Sequence, residues 1–267
     1  MKQLVLAVIA ASPLAVPVDA FAAQTEWTEI MPGARLRAIS SGGEIEGRAL
    51  IGLEIELAPG IKTYWRLPGE TGLPTELAAT SDAGPRDVEM LWPLPEWDLS
   101  QGYVDFVYFG TLVLPALVDV AADKALALDI RMGVCSDICV PVAVSLSLPG
   151  DTRSDPANAL RLKQALNETP IPYEGDDPPL FDIDLNQETG ALSLAYDPER
   201  IDPMRVFPRL EDRSEPFSAP GIDAVDGRLE FTLLASARDI SWRNADLSLT
   251  FATSDGPYEI VRKRETR

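Results

Sequence analysis

A chain of 267 residues with 42 acidic against 23 basic side chains has a formal charge of -19, which argues against nucleic acid and anionic lipid as partners. It contains no histidine, so imidazole is unavailable as a base or ligand, and Ser-His-Asp, Cys-His and most zinc arrangements are excluded. Its thiol chemistry rests on two cysteines, Cys135 and Cys139.

At the amino terminus, Met1-Lys2 is a short positive n-region, Leu4 to Ala11 an apolar h-region, and Ala20-Phe21-Ala22 an A-x-A cleavage pattern. Residues 1–22 are therefore expected to be a secretory signal peptide. Pro13 and Pro17 break the apolar run, which is too short to cross a bilayer. The best later candidate for a span, Leu112 to Ile130, is interrupted by Asp119, Asp123 and Lys124. The expectation is an exported, soluble protein in a compartment where disulfides persist. About 245 mature residues correspond to one large or two modest domains.

From Ala34 onward, short strand patterns alternate with turn signals. Ala49 to Leu57 alternates and stops at Ala58-Pro59-Gly60. Leu112-Val113-Leu114 and Leu117 to Val120 flank Pro115, which predicts an edge strand, a bulge or two separate pieces. Leu126, Leu128, Ile130 and Met132 alternate before the cysteines, and Val142, Val144, Leu146 and Leu148 alternate after them. That pattern predicts a hairpin with both cysteines near its turn. Strands of this length and spacing argue for an antiparallel β-sandwich over residues 23–150, the hairpin at one end of it.

After Pro149-Gly150 the pattern changes. Asp155 before Pro156 is a helix start, and Ala159, Leu162, Ala165 and Leu166 form one apolar face. A proline-rich acidic connector, Thr169 to Pro179, completes a helix-and-linker stretch over 151–179. Alternation resumes in Phe181–Leu185, Leu192–Tyr196, Leu229–Leu233, Leu247–Phe251 and Tyr258–Val261, with turns at Asp226-Gly227 and Asp255-Gly256. A second, smaller β domain over 180–267 fits this run.

Three residues separate the cysteines, few enough to bring their Cα atoms within the roughly 4.4–6.8 Å that a disulfide tolerates once the chain reverses. A structural staple is the ordinary role for such a pair in an exported protein. Magnitude argues against it: closing a loop of about five residues constrains the unfolded chain by only about 2 kcal/mol, against about 4.7 for a hundred-residue loop. A short disulfide borne on a turn is a poor staple and an accessible electrophile. Local charge does little to activate either sulfur, since Asp137 lies between them and Arg131 is the nearest cation.

The runs Gly60-Ile61-Lys62-Thr63-Tyr64-Trp65-Arg66-Leu67-Pro68-Gly69-Glu70-Thr71-Gly72-Leu73-Pro74, Leu91-Trp92-Pro93, Gly110 to Pro115 and Cys135-Ser136-Asp137-Ile138-Cys139-Val140-Pro141 together resemble the amino-terminal periplasmic domain of DsbD-type thiol:disulfide interchange proteins, and within them the ScsB-like branch. The resemblance covers about residues 27–149. It implies an immunoglobulin-like fold with Cys135 and Cys139 on adjacent strands as the redox pair, Cys139 attacked and Cys135 resolving. It also implies a periplasmic location. A membrane thiol transporter of the DsbD or CcdA kind would be the electron donor, and periplasmic thioredoxin-like proteins such as disulfide isomerases or cytochrome c maturation proteins the acceptors. No cofactor or metal is implied. An aromatic cap over the disulfide is a further implication, for which Tyr64, Phe106, Tyr108 and Phe109 are the candidates, with Tyr103 and Trp65 beside them. The sequence stops at Arg267 before any transmembrane or thioredoxin-like domain, so the donor would be a separate protein. The Cys-x3-Cys spacing is shorter than in the best-known members of the family.

Two other readings compete. Cys-x3-Cys followed by proline is also similar to Sco-type copper chaperones, and Met132 could add a thioether for Cu(I). That motif, however, requires a distant histidine and opens a helix, whereas here alternating valines and leucines follow. A non-catalytic sandwich holding a structural disulfide is the third reading, and resistance to reduction would distinguish it.

Overall fold

Period-two alternation becomes strand almost throughout. The computed structural model describes residues 24–150, 155–223, 226–235 and 245–263; the expected signal peptide lies outside them. The strands of the first part are β1 (Thr28–Met31), β2 (Ala34–Ile45), β3 (Arg48–Leu57), β4 (Lys62–Gly69), β5 (Glu76–Ser81), β6 (Gly84–Arg86), β7 (Val88–Met90), β8 (Glu96–Asp98), β9 (Asp105–Phe109), β10 (Thr111–Val118), β11 (Leu126–Cys135) and β12 (Cys139–Leu148). One sheet runs β1-β2-β3-β10-β7 and the other β6-β5-β11-β4-β9-β8, with β12 on the remaining edge of β11. Leu36, Leu53, Ile55 and Leu114 from the first sheet meet Trp65, Phe106, Leu128 and Ile130 from the second in one buried core. This is the immunoglobulin-like sandwich expected from the sequence, its layers joined by apolar alternation.

The β2–β3 hairpin turns on Glu46 (φ 52°) and Gly47 (φ 76°). Two successive positive φ values give the tight reversal whose twist matches the flanking strands. Pro115 corrects the sequence reading: β10 is one continuous strand through it, paired with β3 along its whole length, Pro115 opposite Gly52. The Pro115 carbonyl accepts from Leu91 N–H at 2.8 Å, on the side away from β3. The N–H that proline lacks would point that same way, just beyond the end of the short β7 ladder at Met90, so no ladder bond is lost.

Helix α1 (Pro156–Asn167) starts as expected: the Asp155 carboxylate caps it by accepting from Ala157 and Asn158 N–H. Its Leu162 packs on Ile39, Leu50 and Leu117, on the outer face of the β2–β3–β10 sheet. Gly52 makes room, because a Cβ there would stand 2.8 Å from Leu162 Cδ2.

The chain continues through β13 (Ile171–Pro172), β14 (Leu180–Leu185), β15 (Ala191–Tyr196), β16 (Val206–Leu210), β17 (Gly221–Asp223), β18 (Arg228–Thr232), β19 (Leu247–Thr253) and β20 (Gly256–Arg262). These form two four-stranded sheets, β13-β20-β19-β16 and β14-β15-β18-β17. Leu192, Leu194 and Phe231 of one face Val206, Leu249 and Phe251 of the other in a second core. The two cores meet at Phe207, whose ring centroid lies 5.3 Å from Trp97, 6.0 Å from Phe106 and 6.1 Å from Trp65. Arg66 adds a charged tie, donating to Glu259 at 2.7 Å and to Thr250 at 3.2 Å. Among the described residues, no helix is long and apolar enough to cross a membrane.

Candidate redox-active disulfide

Strands β11 and β12 pair without a register break from Leu126 opposite Leu148 to Cys135 opposite Cys139. The cysteines are joined, with Cα atoms 4.1 Å apart. That separation falls just under the range expected for a disulfide, because the two residues face each other directly on a close, non-hydrogen-bonded rung of the ladder, where about 4.5 Å is usual. Ser136-Asp137-Ile138 makes the connection, with Ser136 N–H donating to the Ile138 carbonyl at 3.3 Å.

Alternation decides which face the disulfide takes. Leu128, Ile130, Met132 and Val134 point into the core, so Asp129, Arg131 and Cys135 lie on the outer face of the sheet. The same parity in β4 sends Trp65 and Leu67 inward and Lys62 and Tyr64 outward. Lys62 sits opposite Cys135 in the β4–β11 ladder. Cys135 is fully buried, packed with Tyr64 and Val107, whereas Cys139 is exposed.

The Tyr64 hydroxyl lies 2.8 Å from Cys135 Sγ and 3.2 Å from Cys139 Sγ. A disulfide sulfur has no proton to give, so the phenol is the donor to both. Burial pushes the Tyr64 pKa up, outweighing the opposing pull of Thr71 and Lys62. The group is therefore a neutral O–H donor at physiological pH. Gly72 lies against the ring: a Cβ there would come within 2.1 Å of Tyr64 Cδ1.

Beneath this lies a small ionic cluster. Lys62 Nζ donates to Asp98 at 2.6 Å and to Asp105 at 3.0 Å, and Asp105 also accepts from Thr71 N–H at 3.0 Å and from its hydroxyl at 2.6 Å. Burial works against the Lys62 charge, but the two carboxylate hydrogen bonds win and raise its pKa. Burial likewise opposes ionisation of Asp98, and bonds from Lys62 and Ser100 overcome it to hold the carboxyl below its usual range. One cation with two carboxylates gives this cluster a net negative charge, which does not favour a thiolate at Cys135. Its evident work is positional: it holds the Thr71–Gly72 backbone on the Tyr64 ring.

Of the residues singled out from the sequence, the structure brings together Cys135, Cys139 and Tyr64. Phe106 and Tyr108 require correction. Both are buried in the first core, Phe106 against Trp65 and Trp97 and Tyr108 with its hydroxyl on the Pro93 carbonyl at 2.6 Å. The alternation of β9 turns these two inward and leaves Val107 beside the disulfide, so neither aromatic covers it. Phe109 is exposed on β9, opposite Lys62. Tyr103 is likewise exposed and Trp65 is fully buried. Gly72, Thr71, Lys62, Asp98 and Asp105 were missed. Glu70-Thr71-Gly72 belongs to the run that carries the family resemblance, but nothing in its local pattern marks Gly72 as the contact of a tyrosine ring. Beside Cys139, Ile138 is 74% exposed and Val140 41%, next to the exposed Ser136 and Asp137 of the turn.

Residues 29–150 match the family model described as thiol:disulfide interchange protein DsbD, N-terminal. Among solved structures, the crystal structure of the N-terminal periplasmic domain of ScsB from Proteus mirabilis superposes with a TM-score of 0.69 at 23% identity, covering 91% of this chain and 99% of that one. At that identity the likeness establishes the fold, and its coverage extends past the disulfide-bearing sandwich into the second one. A comparison with curated proteins returns no match.

Proposed function

We propose, from the match of residues 29–150 to the DsbD amino-terminal family model and from the shared fold, that the protein is a periplasmic thiol:disulfide interchange protein whose Cys135–Cys139 pair carries electrons between other proteins. The donor in this reading is a membrane thiol transporter of the DsbD or CcdA kind, and the acceptors are periplasmic thioredoxin-like proteins of the disulfide isomerase or cytochrome c maturation type.

The observation that carries it is the asymmetry of the two sulfurs: Cys139 is exposed, while Cys135 is buried with a phenol O–H on its Sγ at 2.8 Å. A donor thiolate attacks Cys139 Sγ, the bond between donor sulfur and Cys139 forms, and the Cys135–Cys139 bond breaks with its electron pair going to Cys135. The new Cys135 thiolate is held by the Tyr64 O–H and then protonated. The donor's second thiolate attacks its own first sulfur, closing a donor disulfide and expelling Cys139 as thiolate, which takes a second proton. Two electrons and two protons have then moved from the donor to the pair. Delivery to an acceptor disulfide reverses these steps, with Cys139 as nucleophile and Cys135 as resolving thiol.

The copper reading loses support from the same alternation that exposes the disulfide. Met132 is buried in the core, on the opposite face of β11 from Cys135, and cannot complete a site with the two sulfurs.

Trapping tests the carrier reading. Cys135→Ser leaves Cys139 without its resolving partner, so the variant expressed in the periplasm is expected to accumulate mixed disulfides through Cys139, among them one with a membrane thiol transporter. Absence of any Cys139 adduct under oxidising conditions would leave only the staple.

A further inference from the structure

Among the described residues β12 pairs with β11 alone, and its other edge is free over its full length. Edges of this kind are ordinarily blunted by charge, proline, bulges or brevity, and of these β12 carries only Pro141. This one is ten residues long, reads CVPVAVSLSL, and carries no charge, in a chain that is 24% charged. It is unbroken in register, and its first residue is Cys139.

The register fixes which backbone groups face outward. Cys135 and Cys139 are directly opposite at 4.1 Å, the close rung on which neither residue bonds to the other's backbone. Alternation from that rung means that Cys139, Pro141, Ala143, Ser145 and Ser147 direct their own N–H and C=O groups away from β11. Pro141 agrees with this assignment, since at that position β11 requires no donor; the outward edge therefore lacks one N–H beside Cys139, and the donors it offers are Cys139, Ala143, Ser145 and Ser147. On the outer face of β11, Asp129 is opposite Ser145, whose hydroxyl donates to it, while Arg131 is opposite Glu76 of β5, on the side of β11 away from this edge. The carboxylates nearest this edge are thus Asp129 and, at the turn, the exposed Asp137.

We propose that the free edge of β12 is the docking strand for the redox partner, which adds an extended, cysteine-bearing segment free of acidic residues as a further strand. The segment's cysteine pairs with Cys139. A residue hydrogen-bonded opposite Cys139 would have its Cα about 5.5 Å away, inside the roughly 4.4–6.8 Å that a disulfide spans. The mixed disulfide can therefore form within the ladder, and the backbone bonds hold the attacking sulfur in place in a way that depends little on side-chain identity. Charge sets a preference: the acidic surroundings favour neutral or basic side chains on the incoming strand. This assignment rests on the carrier reading, and its test is separable from it.

The test uses the full chain carrying Cys135→Ser, with Cys139 capped as a mixed disulfide with thionitrobenzoate. A peptide thiolate attacks Cys139 Sγ, forming the peptide–Cys139 bond, and thionitrobenzoate leaves as the coloured thiolate with the electron pair of the broken bond. The probes are an extended Val- and Lys-containing peptide with one cysteine, a copy N-methylated at the alternate residues that would face β12, a copy with Glu in place of Lys, and free cysteine. The parent peptide is expected to react at least about tenfold faster than the N-methylated copy and faster than the Glu copy. Its adduct should protect the Ala143, Ser145 and Ser147 amides from hydrogen exchange, which the cysteine adduct should not. Equal rates for parent and N-methylated peptides, or no added protection, would overturn the edge assignment. So would protection of the same amides by raised protein concentration alone, which would make a second copy of this chain the occupant. None of these outcomes depends on whether thioredoxin-like donors reduce the native disulfide, so the two readings fail separately.

Discussion

Tyr64→Phe is expected to slow reduction of the Cys135–Cys139 disulfide by a dithiol about 10- to 100-fold, without unfolding the protein. The phenol oxygen lies 2.8 Å from Cys135 Sγ, the sulfur that receives the electron pair when Cys139 is attacked. A hydrogen bond to a charged group contributes about 1.5–3 kcal/mol, and each 1.4 kcal/mol is a factor of ten in rate. The oxidised sulfurs accept the same O–H only weakly, so the bond strengthens as Cys135 becomes a thiolate and acts mainly on the transition state. Because burial pushes the Tyr64 pKa upward, the rate difference should persist into alkaline solution, where an ordinary tyrosine would begin to lose its proton. The ring itself remains in Phe, so its packing against Gly72 and Val107 is kept. Stopped-flow tryptophan fluorescence or thiol quench with alkylation measures the rate. An unchanged rate constant would assign Tyr64 to packing alone.

The second large effect is on stability. Phe207→Ala is expected to lower the unfolding free energy by about 3–5 kcal/mol, the usual cost of emptying a fully buried aromatic site. Phe207 is 1% exposed and stacks on Trp97 with an interplanar angle of 18°, so it belongs to the first core although its strand belongs to the second sandwich. Its loss should therefore destabilise both. Phe207→Leu, which keeps most of the volume, should cost well under half as much. Urea unfolding followed by tryptophan fluorescence reads both, because Trp65 and Trp97 flank the site. A midpoint that hardly moves in Phe207→Ala would show that the two sandwiches are independent of this contact.

The parts of the fold that the sequence disclosed are those written in local periodicity. The cysteine hairpin, the Asp155 cap on α1 and the inward set Leu126, Leu128, Ile130 and Met132 could all be read because polar residues mark the alternate positions. Where those marks are missing, the reading failed. Phe106-Val107-Tyr108-Phe109 is apolar throughout, so its parity cannot be assigned from sequence, and two of its three candidate cover aromatics, Phe106 and Tyr108, point inward. Proline lacks a donor, so Pro115 reads as an interruption in sequence, yet a neighbouring strand that ends at Met90 makes that donor unnecessary. Information of that kind resides in the partner strand and not in the segment itself.

The site divides the same way. Cys135 and Cys139 stand out by rarity, whereas Lys62, Asp98 and Asp105 are ordinary charges until pairing of β4 with β9 and β11, and of β9 with β8, brings them together. The same pairing explains why one sulfur is covered and the other is not. Insertion of Phe207 into the first core connects residues far apart in the chain, and no local pattern foretells it.

The most direct measurement is the equilibrium of the purified protein with a thioredoxin-like dithiol of known potential, about -270 mV. An exposed Cys139 and a loop too short to act as a staple predict ready exchange and a potential above about -300 mV. A bond that stays oxidised in a large excess of that dithiol, with a potential below about -300 mV, would mark a structural cross-link and contradict the carrier.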